Sequence, residues 1–402
     1  MLLCIGREGA GLEHAKLPDA MALTCEIIED LTVLDPADRA AWDELAVLSS
    51  LPFCAPGWLV PWWRHVAPAG AGLRLALVRE AGDDAVAGVG PYFEDRQPGG
   101  PACWRPLGSG TCEHVEPLAR PGREREVAEA LTRGMAERGL HGVSFEGVPA
   151  TSPWPARLQA AWPGGRRPWL QSPMHQMALT ISLEDRTFDA WYATKTSHFR
   201  QRLRKNQKEL AKRGGAARLA TEETIEADLR SFFRLHRARR LGRRERTSVT
   251  PAVERMLVDV GNELPVGDRL RVWSIDVDGV TIASSVVIVA GGEVGYWLNG
   301  FDEGHASISP SRLGILTVIQ DAFALGARRL DLGAGAYEYK QRFADGEEQL
   351  QWRTLVPAGA RSPVTRLQLS VPRARRAAAA RMDPEHKARL RRLLRQPNDD
   401  GA

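Results

Sequence analysis

Two stretches far apart in the chain follow the same pattern, and this repetition limits the possible folds more than any other feature. Residues 73–93 read as a strand, an Asp/Gly turn and an apolar returning strand, and residues 270–290 read the same way. Alternating strands joined by such a turn are typical of a β-hairpin. Because 402 residues exceed one ordinary hydrophobic core, the repetition predicts a duplicated domain rather than a short-period repeat.

Helical and strand patterns alternate around both hairpins. Asp35 is the expected N-cap of the first helix. Helices are predicted at 36–51, 56–65, 123–138, 188–213, 224–241, 251–264 and 311–325, and further strands at 25–34, 142–146, 293–299, 328–332 and 349–356. This order predicts an α/β fold (α+β, with mixed sheets) built as a tandem duplication. We expect a disordered extension at 1–21, domains at 22–187 and 188–360, and a basic helical or disordered tail at 361–402.

Positive charge is concentrated in two segments, although the net charge is only +4. Residues 190–250 contain 17 Lys/Arg against 6 Asp/Glu, and residues 361–402 contain 11 against 4. Such segments suit a phosphate-rich ligand, a tRNA or an anionic surface. Solvated helix faces explain the same charges equally well.

Several classes of protein are not expected from this sequence. No apolar run reaches the roughly 18 residues that a transmembrane segment needs. Charged residues interrupt the first twenty positions, which argues against a signal peptide and favours a cytoplasmic protein. Without a secretion signal, the five cysteines are expected as reduced thiols, and because they lack metal-ligand spacing no metal site is expected.

The segment 307–314 reads as a helix start that can hold an anion. Ser309 is the expected N-cap, and Pro310 suits the first helical position. The backbone N–H groups of Ser311, Arg312, Leu313 and Gly314 would then face a ligand, with Arg312 adding charge. The alternative is an ordinary helix cap.

The segment 331–343 contains the sharpest motif. Gly333 and Gly335 allow a tight backbone turn close to a ligand, and Lys340 follows on a short helix. Only seven of the 54 basic residues are lysines, and Lys340 is the one lysine between residues 213 and 386. Its ammonium can hold a negatively charged oxygen, or it can form a structural pair with Asp331 or Glu338.

Other candidates lie on a loop and on the basic helix. Glu303, with Asp302 and His305, follows a strand end where a general base can accept a proton. Arg200 and Arg204 are one helical turn apart and can contact phosphates. Surface positions explain each of these residues as well. The candidate catalytic residues are Lys340, Tyr339, Glu303 and Asp331.

The ordered motifs resemble those of one family. They are Phe53-x-x-Pro56-x-Trp58 with Trp62-Trp63, Ser197-His198-Phe199-Arg200, Tyr296-Trp297 with Gly300-Phe301-Asp302, Ser309-Pro310, Asp331-Leu332-Gly333-Ala334-Gly335, and Tyr339-Lys340 with Phe343. Their order resembles the CelD-like (BioF-like) acetyltransferases of the GNAT superfamily, which are related to the Fem peptidyltransferases. The resemblance spans residues 23–357.

The resemblance implies a tandem GNAT fold and an acyltransferase that uses acetyl-CoA or another acyl-CoA. The acceptor would be an amine on a small molecule or glycan precursor, attacked without a covalent enzyme intermediate. The resemblance to Fem enzymes implies a role in catalysis for Lys340. Two alternatives remain: an aminoacyl-tRNA-dependent transferase, and a non-catalytic scaffold that binds polyanions. We expect the N-terminal half to be a structural copy that forms one wall of the acceptor cleft.

Overall fold

A computed structural model describes residues 23–82, 84–96, 102–242, 248–335, 337–359 and 361–370, with only the backbone at 240–242. The predicted N-terminal extension at 1–21 and most of the predicted basic tail lie outside these residues. Within the described part of the tail, residues 362–370 are helical.

The described strands form a single sheet with antiparallel and parallel pairs. They are β1 (Leu23–Ile28), β2 (Gly72–Glu80), β3 (Val86–Asp95), β4 (Cys103–Pro106), β5 (Leu118–Ala119), β6 (Gly142–Pro149), β7 (Trp169–Leu170), β8 (Met174–Ser182), β9 (Ala216–Leu219), β10 (Leu270–Val277), β11 (Val280–Ala290), β12 (Glu293–Phe301), β13 (Arg329–Ala334) and β14 (Gly346–Val356). The strand order is β1-β2-β3-β4-β6-β14-β8-β13-β12-β11-β10-β9, with β5 beside β3 and β7 beside β14. The mixed α/β fold predicted from the sequence is confirmed.

Helices connect the strands. They are α1 (Pro36–Leu48), α2 (Pro56–His65), α3 (Glu124–Glu137), α4 (Trp154–Ala161), α5 (Phe188–Ala193), α6 (Ser197–Lys212), α7 (Ile225–Gly242), α8 (Pro251–Glu263), α9 (Pro310–Ala324) and α10 (Glu338–Gln341). Short 3-10 turns lie at Leu31–Val33, Pro52–Cys54 and Glu303–Ile308. The Asp35 side chain caps α1 by accepting a hydrogen bond from the Ala37 N–H at 2.7 Å, as predicted.

The two halves exchange their last strands. In both halves an antiparallel hairpin leads to a parallel pair, β4 with β6 in the first and β12 with β13 in the second. The last strand of the first half, β8, pairs with β13 of the other half. The final strand of the chain, β14, pairs with β6 and with β8. Each half therefore completes the sheet of the other. The predicted boundary at 187/188 lies between β8 and α5.

Three large cores cover the sheet. One joins the halves, because α1 and α2 pack with α7 and α8 through side chains such as Trp42, Trp58, Phe232 and Leu257. A second core lies under α3 and α4, and a third under α5, α6 and α9. The shared first core holds the halves together independently of the strand exchange.

The structure differs from the predicted elements at several positions. The predicted helix 188–213 is two helices, because the Thr196 hydroxyl accepts the Phe199 N–H at 3.3 Å and starts a new one. The predicted loop 303–310 contains a 3-10 turn capped by the Asp302 side chain. Strands β8 and β9 and helix α4 were not predicted, since polar and Gly/Pro-rich sequence masks their periodicity.

The turn between β11 and β12 provides a test of the contact between the halves. Gly291 has φ +56°, and a Cβ there would lie 1.9 Å from the Val47 carbonyl oxygen of α1. We expect Gly291→Ala to lower the free energy of unfolding by about 3 kcal/mol, through backbone strain and overpacking. The matched control is Gly279→Ala, where φ is +74° and a Cβ meets no described atom within 4 Å. It should cost only about 1 kcal/mol. Thermal unfolding measures the free energy of unfolding of both variants. Equal losses in Gly291→Ala and Gly279→Ala would contradict the predicted contact.

Candidate active site

Two parallel strands separate at the centre of the C-terminal half. Strands β12 and β13 pair only from Glu293 to Gly295, opposite Arg329 to Asp331. Beyond this point β12 continues to Phe301, while β13 shifts its register and pairs Ala334 with Ala178 of β8. The two strands thus leave a gap between them that an extended ligand could enter in the manner of strand addition.

A pocket of about 750 Å³ opens at this gap. Such a volume is typical of a site for a small molecule or cofactor. From the C-terminal half it is lined by both separating strands, by the start of α9, and by the segment around Lys340. The N-terminal half contributes residues 110–113 and Glu146. The pocket thus has walls from both halves.

Lys340 lies at the wall of this pocket and is 8% exposed. Its Nζ donates a hydrogen bond of 2.6 Å to the Leu332 carbonyl, just past the point where the strands separate. Burial lowers the pKa of Lys340, an effect partly offset by the carboxylates of Asp331 and Glu113. Of the two carboxylates considered as structural partners of Lys340, Glu338 pairs with Arg342, and Asp331 Oδ2 lies 3.2 Å from His114 Nδ1.

The turn that ends β13 is fixed by the Asp331 side chain. Its Oδ1 accepts the Gly333 N–H at 2.8 Å. Gly333 and Gly335 have φ of +76° and +98°, conformations that glycine adopts without strain. Gly333 and Tyr339 line the pocket, whereas Asp331 is buried behind it. Gly335 donates its N–H to the Met177 carbonyl of β8 and is not a lining residue.

The start of α9 is built differently from the predicted cradle. Ser309 is the N-cap and Pro310 the first helical residue, as predicted, but Ser309 has φ +51° and its hydroxyl does not cap the helix. Its carbonyl already accepts the N–H groups of Arg312 and Leu313. Ser311 is therefore best placed to offer an N–H and a hydroxyl to a ligand, and its Oγ lies 3.3 Å from Asn299 Nδ2.

Positive charge gathers at this end of the pocket. Burial lowers the pKa of the Arg312 guanidinium, and the nearby Arg202 and Arg342 lower it further. Ser309, Ser311 and Arg312 all line the pocket. A cluster of cations beside a helix start favours an anionic group such as a phosphate.

The opposite wall carries a glutamate that sequence reasoning missed. Glu113 lines the pocket from the N-terminal half. Burial raises its pKa and the Asp331 carboxylate adds to this, although the charges of His114 and Lys340 oppose it. A carboxylate with a raised pKa beside a reaction site is a candidate general base. The signal in the sequence was a run of titratable residues, Glu113, His114 and Glu116, in a short loop between Gly110 and Pro117.

The neighbouring His114 joins the two halves electrostatically. Its Nδ1 lies 3.2 Å from Asp331 of β13, and its Nε2 lies 3.0 Å from Glu348 of β14. Burial alone would lower the pKa of His114, but the two carboxylates outweigh it and raise the pKa to about 9. Glu348 also accepts Arg329 at 2.6 Å, and its pKa is lowered to about 2.

The remaining sequence candidates do not line the pocket. Glu303 is exposed on the 3-10 turn, and Arg204 is exposed on α6. Arg200 is half-buried, and Leu313 and Gly314 are buried inside α9. The structure thus brings together Lys340, Tyr339, Gly333, Ser309, Ser311 and Arg312 in one pocket, with Asp331 directly behind them.

Metal and thiol chemistry find no support among the described residues. They contain no group of three or more His, Cys, Asp or Glu side chains able to hold a metal ion. Their four cysteines are free, and burial raises the pKa of each thiol, including that of Cys112 in the pocket. A thiolate nucleophile is therefore disfavoured. No described helix is long and apolar enough to cross a membrane.

Solved structures with a similar fold cover both halves. FemX matches with a TM-score of 0.56 and 12% identity, over 78% of this chain and 95% of that chain. L-PGS from Bacillus licheniformis matches with a TM-score of 0.51 and 12% identity, over 83% and 96%. The C-terminal domain of a putative lysylphosphatidylglycerol synthetase from Agrobacterium fabrum matches with a TM-score of 0.50 and 11% identity, over 83% and 96%. At these identities the likeness shows a shared fold.

Sequence comparison is more specific for the C-terminal half. No curated protein sequence matches the chain. The family model of the acetyltransferase (GNAT) domain matches residues 197–341, which span α6 to α10 and include the separating strands and Lys340. This chain therefore carries a GNAT-type acetyltransferase domain over residues 197–341.

Proposed function

We propose that the chain is an acyl-CoA-dependent N-acyltransferase of the CelD-like group. It transfers an acyl group, with acetyl as the first candidate, to an amine of an amino sugar, an amino acid, or a precursor of a polysaccharide or secondary metabolite. The observation that supports this most is the gap between β12 and β13, which opens into a pocket containing Lys340.

The residues present suit acyl-CoA as the donor. Beyond Gly295, β12 is no longer paired with β13, and its edge can offer backbone groups to an extended pantetheine arm. Ser311 and Arg312, with Arg202 and Arg342 nearby, offer donors and positive charge to the pyrophosphate. Acyl-CoA supplies an activated thioester when bound.

The side chains divide the chemistry between two walls of the pocket. The amine nitrogen forms a bond with the thioester carbonyl carbon, the carbon–sulfur bond breaks, and the thiolate leaves to be protonated. Glu113 accepts the proton lost by the amine, since burial raises the pKa of its carboxyl and makes the carboxylate a stronger base. Lys340 donates to the oxygen that becomes negative during attack.

The exposed face of α6 favours one second candidate, an aminoacyl-tRNA-dependent transferase. Arg202, Arg204, Lys205, Lys208 and Lys212 are exposed along this helix. Such a row of cations can neutralise phosphates of a polynucleotide. The fold likeness to FemX is compatible with this candidate.

Thermal unfolding with different donors tests the proposal. Acetyl-CoA or a longer acyl-CoA at about 100 times its Kd should stabilise the protein by about 2.7 kcal/mol, because it binds only the folded state. Arg312→Gln should weaken this shift by removing a pocket cation. The matched control is Arg230→Gln, which changes an arginine that pairs with Glu226 on the surface of α7. It should leave the shift unchanged.

Different outcomes separate the candidates. No shift with millimolar acyl-CoA, together with turnover of charged tRNA, would replace the proposal with the tRNA-dependent activity. Binding of polyanions that high salt abolishes, without turnover of either donor, would favour a non-catalytic scaffold.

A further inference from the structure

The Glu113–His114 loop is held in place from both sides of its backbone. His114 has φ +62°, an uncommon conformation for a residue other than glycine. Its N–H donates to the Gly147 carbonyl at 2.9 Å, and its own carbonyl accepts the Cys54 thiol at 3.3 Å. A strained conformation secured in this way indicates that the direction of the side chain matters.

The imidazole spans a strand of the sheet. Asp331 lies on β13 and Glu348 on β14, and β8 lies between these two strands. Asp331 is paired with Thr180 of β8, and Glu348 with Ala178. One imidazole ring contacts both carboxylates. His114 of the N-terminal half therefore bridges over β8 to the strands on either side of it, β13 and β14.

A short series of contacts connects this bridge with Lys340. His114 contacts Asp331 Oδ2, while Asp331 Oδ1 accepts the Gly333 N–H. These two contacts of the Asp331 carboxylate fix the backbone at Leu332 and Gly333. The Leu332 carbonyl in turn accepts the Lys340 Nζ. Asp331 is 4% exposed and Lys340 is 8% exposed, so these contacts lie out of reach of bulk water and are weakly screened.

We infer that His114 is a positioning residue for Lys340. His114 holds Asp331 and thereby fixes the end of β13. The Leu332 carbonyl at this end then determines the position of the Lys340 ammonium in the pocket. The N-terminal half therefore supplies a component without which the site of the C-terminal half is incomplete. The importance of this for acyl transfer rests on the proposed function, whereas the placing of Lys340 does not.

The test measures how Lys340 is held, independently of activity. The full-length protein is treated with acetic anhydride across a range of pH, and acetylation of Lys340 is followed by peptide mass spectrometry. In His114→Asn, asparagine tolerates the positive φ of this position. It lacks the charge of the histidine and is too short to contact both carboxylates. Lys340 should be acetylated roughly tenfold faster than in the wild type, because its hydrogen bond to the Leu332 carbonyl is lost and Nζ becomes free to react. Glu348→Ala, which removes the other carboxylate that holds the imidazole, should change the rate in the same direction.

The matched control is His65→Asn. His65 of α2 also contacts a carboxylate of the other half, Asp259 of α8 at 2.6 Å, but neither residue lines the pocket. It should leave acetylation of Lys340 unchanged. If His114→Asn does not fold, Glu348→Ala decides. A wild-type rate of Lys340 acetylation in the folded variants would overturn the inference.

Kinetics add a second readout. His114→Asn should lower kcat more than it raises the KM for acyl-CoA, and the double variant with Lys340→Met should have the kcat of Lys340→Met alone. Additive effects would mean that His114 acts independently of Lys340 and would overturn the inference. If the wild type transfers no acyl group, the proposed function fails, while the acetylation rates still decide the role of His114.

Discussion

Lys340→Met is expected to lower kcat by about 10²- to 10³-fold, the loss typical when one donor to a developing oxyanion is removed. Methionine has a similar length but neither a charge nor an N–H. The KM for acyl-CoA should change little, because the proposed pyrophosphate contacts lie at the start of α9. The measurement is steady-state acyl transfer to an amine acceptor, with binding of acyl-CoA checked by thermal shift.

Two variants accompany this experiment. Lys340→Arg should be nearly as inactive, since Nζ is buried 2.6 Å from the Leu332 carbonyl and a planar guanidinium needs more room. Lys212→Met makes the same change on the exposed surface of α6 and should retain full activity. Near wild-type kcat in Lys340→Met would show that the lysine is structural.

Glu113→Gln is expected to lower kcat/KM by about 10²- to 10⁴-fold, the range that general base catalysis contributes. In the wild type, kcat/KM should rise with pH as Glu113 loses its proton, because only the carboxylate accepts a proton from the amine. Burial raises the pKa of Glu113 above its ordinary 4.5, so this rise should lie at higher pH than for an exposed glutamate. The variant should lack this rise. A pH profile of kcat/KM measures both effects.

Glu116→Gln provides the matched control, three residues further along the same loop. Burial raises the pKa of Glu116 to about 7, but its carboxylate accepts the Ser152 hydroxyl at 2.5 Å and does not line the pocket. Its kcat/KM should stay within a few-fold of the wild type. If the rise of kcat/KM with pH disappeared in Glu116→Gln and persisted in Glu113→Gln, Glu116 would be the general base.

Local signals in the sequence predicted many elements closely. The hairpin at 270–290 and the helix at 56–65 match the structure residue for residue, since a turn or a proline marks their ends. The pairing of β8 with β13 and of β14 with β6 was not predictable in this way. Alternation identifies a strand and its buried face, but the partner depends on contacts across roughly 150 residues for β8 with β13 and roughly 200 residues for β14 with β6.

The sequence pointed to one wall of the candidate pocket only. Lys340, Ser309 and Arg312, which line it, stood out because glycines and a proline mark the backbone around them. Glu113 and His114 lie in a loop without periodicity, and only the packing of the two halves brings them to the pocket. Glu303 was chosen because it follows a strand end, but the 3-10 turn places it on the surface.

Because the two halves exchange their last strands, the sheet stays incomplete while the ribosome is still translating the chain. Strand β6 is synthesised about 200 residues before β14, the neighbour that covers one of its edges. At a translation rate of roughly 5–20 residues per second, this edge stays open for about 10 to 40 seconds. An open edge invites pairing with another nascent chain. Chaperones would therefore protect the N-terminal half while it emerges from the ribosome. The complete sheet forms only when the last strand leaves the exit tunnel.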